Sequence, residues 1–222
     1  MALILNIETA SKNCSVSISD HGKIIALKEI NESGFSHAEN LHPLIEDVLK
    51  TANLNIKNID AVAVSKGPGS YTGLRIGVSA AKGICFAADK PLISINTLKI
   101  LASQLAVEKG IIVPMLDARR MEVYSAVYNH QHILQRKTEA EILNEISFKS
   151  YLDSEKVYFL GDGTEKCQSV INHPNAVFLL NTFPSANEMG SLSEEKFQKK
   201  EFEDVAYFEP FYLKDFVTTM KL

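Results

Sequence analysis

The segment Ser65-Lys66-Gly67-Pro68-Gly69-Ser70-Tyr71-Thr72-Gly73-Leu74-Arg75-Ile76-Gly77 constrains this chain more than any other. Residues 59–64, just before it, are apolar and rich in β-branched side chains, and read as a buried strand. Residues 72–88, which follow, are rich in Ala, Leu, Ile and Val and read as a helix. Gly67 and Gly69 permit backbone angles that other residues avoid, Pro68 stiffens the turn, and Ser70 or Thr72 can cap the helix. Strand, glycine turn and helix N-terminus in that order belong to an α/β fold, and the N–H groups of such a turn often face a phosphate. The nucleoside-triphosphate motif G-x-x-x-x-G-K-S/T is not met, because Leu74 and Arg75 follow Gly73, and the dinucleotide fingerprint G-x-G-x-x-G fails at Thr72. An anion site and a plain tight turn are both compatible with the run.

Gly73 and Gly77 lie one helical turn apart, with Ala80 and Ala81 next along. Glycine inside a helix costs about 1 kcal/mol relative to alanine, a cost accepted where another backbone must come close. The expected neighbour is a second chain, met by Thr72, Gly73, Arg75, Gly77, Ala80 and Ala81 together with Leu41 and Ile45 of a preceding helix. The chain's own sheet is the alternative. Arg75 is expected in an interface ion pair.

The chain has 222 residues, 45% of them hydrophobic and 23% charged, enough for one large domain or two lobes around a real core. A net charge of −4 gives no overall basic footprint for nucleic acid, though a local patch is compatible with it. Cys14, Cys85 and Cys167 are far apart and form no C-x-x-C, which argues against a zinc ribbon or a disulfide framework. The first residues read as a strand that meets Glu8 rather than a secretion signal, and no apolar run reaches the length of a membrane helix. The expected compartment is the cytoplasm, with no membrane partner.

Strands are expected at 2–7, 14–19 and 23–30, then a helix over 41–52 opened by a capping box at Ser36-His37-Ala38-Glu39. Pro43 should kink that helix or move its start to Asn40. After the glycine unit come a strand at 91–95 and a helix over 97–108. The order then begins again: strands at 111–116, 121–128 and 132–136, a helix over 144–152, a strand at 157–160, a helix over 164–171, a strand at 177–180 and a helix over 185–200. Residues 205–213 read as an extended, aromatic-rich segment, with Phe211 and Tyr212 in core packing. Each half opens with a strand ending in an acid, Glu8 or Asp117, and its fourth strand ends in a glycine turn, Gly67-Pro68-Gly69 or Gly161-Asp162-Gly163. This predicts two similar α/β lobes, residues 1–103 and 104–204, with 205–222 returning to the first. Acids and glycine turns would gather at the strand carboxyl ends, where α/β sheets bind ligands.

The duplicated βββαβαβα pattern resembles the two-lobed actin-like/RNase H-like (ASKHA) fold. The run 65–77 is similar to the G-P-G-S-F/Y-T-G-L/V-R-I/V-G of the TsaB (YeaZ) family, and Asp117-Ala118-Arg119-Arg120-Met121-Glu122-Val123-Tyr124 to its D-A-R-x-x-E-V-Y. Glu209-Pro210-Phe211-Tyr212-Leu213 resembles its E-P-x-Y-L/V-R, with Lys214 where Arg is usual, and Ile7-Glu8-Thr9-Ala10 resembles I-D/E-T-A. The resemblance implies a non-catalytic partner in making N6-threonylcarbamoyladenosine at the base just 3′ of certain tRNA anticodons. It also implies a TsaD-type catalytic paralogue and a TsaE-type ATPase as partners, tRNA bound through the complex, and a homodimer when alone. The paralogue holds a metal through an H-x-x-x-H pair, and the matching positions here are Thr97 and Leu101, neither an imidazole.

The chain's histidines lack ligand spacing and read as surface residues; no G-x-S-x-G supports a protease. No catalytic residue and no metal ligand is therefore assigned. Glu8, Thr9 and Asp117 are the cleft candidates for a weakly held ATP or ADP, with simple turn capping as the alternative. The competing function is an actin-fold ATPase or small-molecule kinase.

Overall fold

The computed structural model describes residues 2–31 and 37–214. Ser36 of the expected capping box lies outside the described residues. Ten strands and six α-helices follow one another as β1 (Leu3–Glu8), β2 (Asn13–Asp20), β3 (Lys23–Asn31), α1 (His37–Thr51), β4 (Ala61–Gly67), α2 (Tyr71–Ala88), β5 (Leu92–Asn96) and α3 (Thr97–Ala102). The second half repeats the order with β6 (Ile111–Asp117), β7 (Glu122–Asn129), β8 (Leu134–Ile142), α4 (Lys149–Leu152), β9 (Val157–Leu160), α5 (Thr164–Val170), β10 (Ala176–Leu179) and α6 (Met189–Gln198). Each half forms a five-stranded sheet, in the orders β3-β2-β1-β4-β5 and β10-β9-β6-β7-β8. In both sheets the first three strands pair antiparallel, and the last two add in parallel. The expected duplication is thus present at the level of topology.

One face of the first sheet carries Leu5, Ile7, Val62 and Val64, buried against Leu41, Ile45 and Val48 of α1 and Val78, Ala81 and Cys85 of α2. The second sheet buries Val113, Met115, Val123 and Phe159 under α4 and α5. Helix α3 lies between the sheets: Ile100 joins the first, while Leu98 and Leu101 pack on Ile112, Leu116 and Leu160 of the second. Its apolar faces point both ways, which is what joins the lobes.

Five expectations need correction. Helix α6, assigned to the second lobe, packs on the first: Ala186, Met189, Leu192 and Phe197 cover Ile4, Ala61, Ala63, Ile93 and Ile95. That face of the first sheet is apolar and needs a cover, and α3 already occupies the corresponding face of the second. The crossing is fastened by serines: Ser17 Oγ donates to Ala186 O at 2.7 Å, and Ala186 N donates to Ser15 Oγ at 2.9 Å. The helix over 97–108 stops at Ala102, where Ser103 donates its hydroxyl back to Lys99 O. Strand β8 runs through Lys137-Thr138-Glu139-Ala140-Glu141, a stretch of helix-forming composition, because pairing with β7 overrides propensity. The helix over 144–152 shrinks to Lys149–Leu152, since Asn144 and Ser147 side chains bond local backbone amides instead. Finally, α1 starts at His37 and runs through Pro43, held by its buried stripe on the sheet.

Candidate functional site

The glycine turn is closed by its own chain. Gly67 has φ 109, and a Cβ there would lie 2.7 Å from Phe211 O, so the glycine admits the C-terminal segment. Phe211 N donates to Lys66 O at 2.7 Å, and Tyr212 lies on Tyr71 with ring centroids 5.0 Å apart. Phe211 and Tyr212 are therefore half-exposed above the turn and not in the core, where the sequence reading put them. The turn's amides are used internally. Gly67 N donates to Thr97 Oγ1 at 3.1 Å, Ser70 N to Ala10 O at 2.7 Å, and Gly73 N to Ser70 Oγ at 3.2 Å. These three donors are not available to a phosphate.

The loop after β1 is wedged under α2. Thr9 Oγ1 donates to Gly73 O at 2.8 Å, and a Cβ at Gly73 or Gly77 would overlap Thr9 O or Thr9 Oγ1 respectively. The Gly73/Gly77 face therefore packs inward on Thr9. Gly73, Gly77, Ala81, Leu41 and Ile45 are all buried within this chain, which favours the alternative expectation that this face packs on the chain's own interior. Of that expected set, Thr72 and Arg75 are exposed and Ala80 is half-buried. Arg75 stacks over Tyr71 and bonds its hydroxyl at 3.2 Å. His37, expected at the surface, is buried, with its Nε2 2.7 Å from Ser11 O.

Glu8 is fully buried beneath this loop. Ala10 N donates to its Oε1 at 2.5 Å, and its Oε2 has no partner among the described residues. Burial pushes its carboxyl up to about 7 against the pull of bonds from Ala10, Ser65 and Thr9. Asp117 stands at the same place in the other sheet but is exposed. Its Oδ1 pairs with Lys166 Nζ at 2.8 Å and accepts from Arg119 N at 2.5 Å. Asp162 of the second glycine turn accepts from Asp117 N at 2.8 Å, and burial raises its carboxyl, helped by the Asp117 charge. The three cleft candidates are thus not one cluster: Glu8 and Thr9 share a sealed loop, and Asp117 belongs to an open turn.

On the outer side of α2, Ile76, Ala80, Gly83 and Ile84 line an apolar groove of about 770 Å³ with His42 and Ile56. A Cβ at Gly83 would meet nothing within 4 Å among the described residues. Beside the groove, Phe86 is 85% exposed. Sequence reasoning passed over this face, although Gly83 interrupting a helix, followed by Ile84 and Phe86, was there to be read.

A family model described as TsaD: tRNA N6-adenosine threonylcarbamoyltransferase matches residues 31–221. The chain is 30% identical to the tRNA threonylcarbamoyladenosine biosynthesis protein TsaB of Escherichia coli K12, over 99% of this chain and 97% of that protein. The chain belongs to the TsaB family. Another TsaB, from Bacillus subtilis, is 28% identical over 76% of this chain and 74% of its own. The tRNA N6-adenosine threonylcarbamoyltransferase of Staphylococcus haemolyticus is 38% identical, over 42% of this chain and 32% of its own. YeaZ from Pseudomonas aeruginosa matches with a TM-score of 0.82 at 25% identity, covering 96% of this chain and all of that one. EutJ from Carboxydothermus hydrogenoformans matches with a TM-score of 0.52 at 12% identity, a likeness of fold alone. The two-lobed actin-like fold is thereby established.

In this TsaB-family chain, Thr97 and Leu101 have structural work. Thr97 is buried and accepts from Gly67 N, and Leu101 is buried between the sheets. Among the described residues no three of His, Cys, Asp or Glu converge as metal ligands would. Nor does any helix among them have the length and apolarity to cross a membrane.

Proposed function

We propose that this chain is the non-catalytic partner of a TsaD-type transferase, needed to make N6-threonylcarbamoyladenosine in tRNA in the cytoplasm. The observation that carries this reading is the TsaB match over 99% of this chain, joined to the resemblance that puts Thr97 and Leu101 where the paralogue would hold its metal. Thr97 holds the glycine turn and Leu101 holds the lobes together, so neither position is free for a metal. The internal bonding of the Gly67, Ser70 and Gly73 amides supports weak nucleotide binding at most, and so disfavours an ATPase or kinase.

The surface that meets the paralogue is the outer face of α2, and a TsaE-type ATPase joins the resulting pair. Gly83 loses helix stability although a Cβ there would meet nothing among the described residues, and a close neighbour from another chain would account for it. Ile76, Ile84 and the exposed Phe86 add apolar area of the kind that marks protein contacts. Without the paralogue, the same face would pair two copies of this chain.

The test is reconstitution with tRNA, threonylcarbamoyl-adenylate and the TsaD-type protein of the same cell. Modified adenosine should form in the presence of both proteins and not with this chain alone. Multiple turnover by this chain alone overturns the reading. Ile84→Glu should abolish capture of the paralogue while the melting temperature of the dilute chain stays unchanged. Intact capture places the interface elsewhere.

A further inference from the structure

The β6–β7 turn breaks a local rule. Arg119 and Arg120 both have left-handed backbones, with φ of 69 and 50. A tight turn with two such residues favours Gly, Asn or Asp, which adopt that conformation at lower cost than a long side chain. The turn is well formed: Ala118 N donates to Glu122 O at 3.0 Å, and Glu122 N to Arg119 O at 3.1 Å. Two arginines thus stand where stability alone would select other residues, a mark of a position kept for function.

Among the described residues, the charges around the turn leave these arginines unpaired. Asp117 is taken by Lys166 at 2.8 Å, and Glu122 by Lys214. The Asp162 carboxyl is held on Asp117 N, and burial favours its uncharged form. Among the described residues neither guanidinium has a hydrogen bond or ion pair. Both residues are exposed. In a protein of net charge −4 this is a local cationic point at the carboxyl end of β6, the end at which α/β sheets meet their ligands.

We propose that Arg119 and Arg120 bind the phosphodiester backbone of an RNA. This rests on the reading above that the chain works on tRNA. A guanidinium fork grips two phosphate oxygens at once, which suits exposed phosphate recognition. An exposed turn carrying two guanidinium groups suits a long polyanion that makes many contacts along its length.

The experiment measures tRNA affinity of the full chain with its TsaD-type protein across a salt series. The variant is Arg119→Asn with Arg120→Gly. Relief of the left-handed backbone should leave the melting temperature equal or higher, while tRNA affinity falls about tenfold at low salt. The slope of log affinity against log salt should shrink by roughly 1.4–1.8, the loss of two phosphate contacts. Arg119→Lys with Arg120→Lys should recover most of that slope. Arg120→Gln alone gives a second reading, with about half the change in slope. Unchanged affinity and slope in a folded variant overturn the proposal. So does lost capture of the paralogue at unchanged RNA affinity, which would make the turn a protein contact. A wild-type pair that binds tRNA through this turn but modifies nothing sinks the functional reading instead.

Discussion

The turn after β1 and the turn after β6 occupy the same place in the two halves, and their fates are opposite. Glu8-Thr9-Ala10-Ser11 is sealed: Ala10 O accepts from Ser70 N, Thr9 reaches Gly73 O, and Ser11 O meets His37. Asp117-Ala118-Arg119-Arg120 is open to solvent apart from its partly buried alanine. The difference comes from the helix that follows the fourth strand. Gly73 and Gly77 on α2 let the first turn slide beneath the helix. The glycines before α5 serve strands instead: a Cβ at Gly163 would lie 2.9 Å from Val123 Cγ1, and one at Gly161 would overlap Met115 O. Equivalent topology therefore leaves burial undecided; the closest approach of one helix decides it.

Closing the first turn less tightly should have the largest effect. Gly77→Leu drives a side chain into Thr9 and should cost about 3 kcal/mol or more. Thermal unfolding of the dilute chain measures it, and an unchanged midpoint would mean that α2 does not rest on Thr9.

The sealed acid should show itself almost as strongly with pH. Glu8 titrates at about 7 when folded and at its ordinary 4.5 when unfolded. Between those values the folded chain keeps a proton that the unfolded chain has released. Stability from this group is therefore full below about 4.5 and falls as pH rises through 7, by about 3 kcal/mol in total. Glu8→Gln should flatten that part of the denaturation profile. Equal slopes for wild type and Glu8→Gln would show that Glu8 is not sealed.

A smaller contrast concerns Thr9→Val, which removes a buried bond to Gly73 O and should cost about 1 kcal/mol by chemical denaturation. Asp117→Asn should be smallest, under about 1 kcal/mol, because its pair with Lys166 is partly exposed. A larger loss for Asp117→Asn than for Thr9→Val would reverse the comparison.

Much of this architecture could be read from residue order. The repeat of strands and helices, both acid-ended strands and both glycine turns lie where periodicity and turn chemistry put them. Other features were not legible for physical reasons. The composition of residues 137–141 favours a helix, and only the neighbouring β7 makes it a strand. Helix α6 has a modest apolar stripe that suits either sheet; the vacant face of the first one selects it. Glu8 looked like a cleft ligand because a carboxylate at a strand end is normally solvated, and its cover comes from α2, far along the chain.

By itself, then, the sequence determined the element order and the duplicated lobes, which rest on hydrophobic period and local turn chemistry, and its motifs carried the resemblance to the family. The tertiary structure decided which side of α2 is interior, which acid is buried and where the arginines face. Those outcomes depend on contacts between residues such as Thr9 and Gly73, which are distant in sequence and meet only when the sheet has formed.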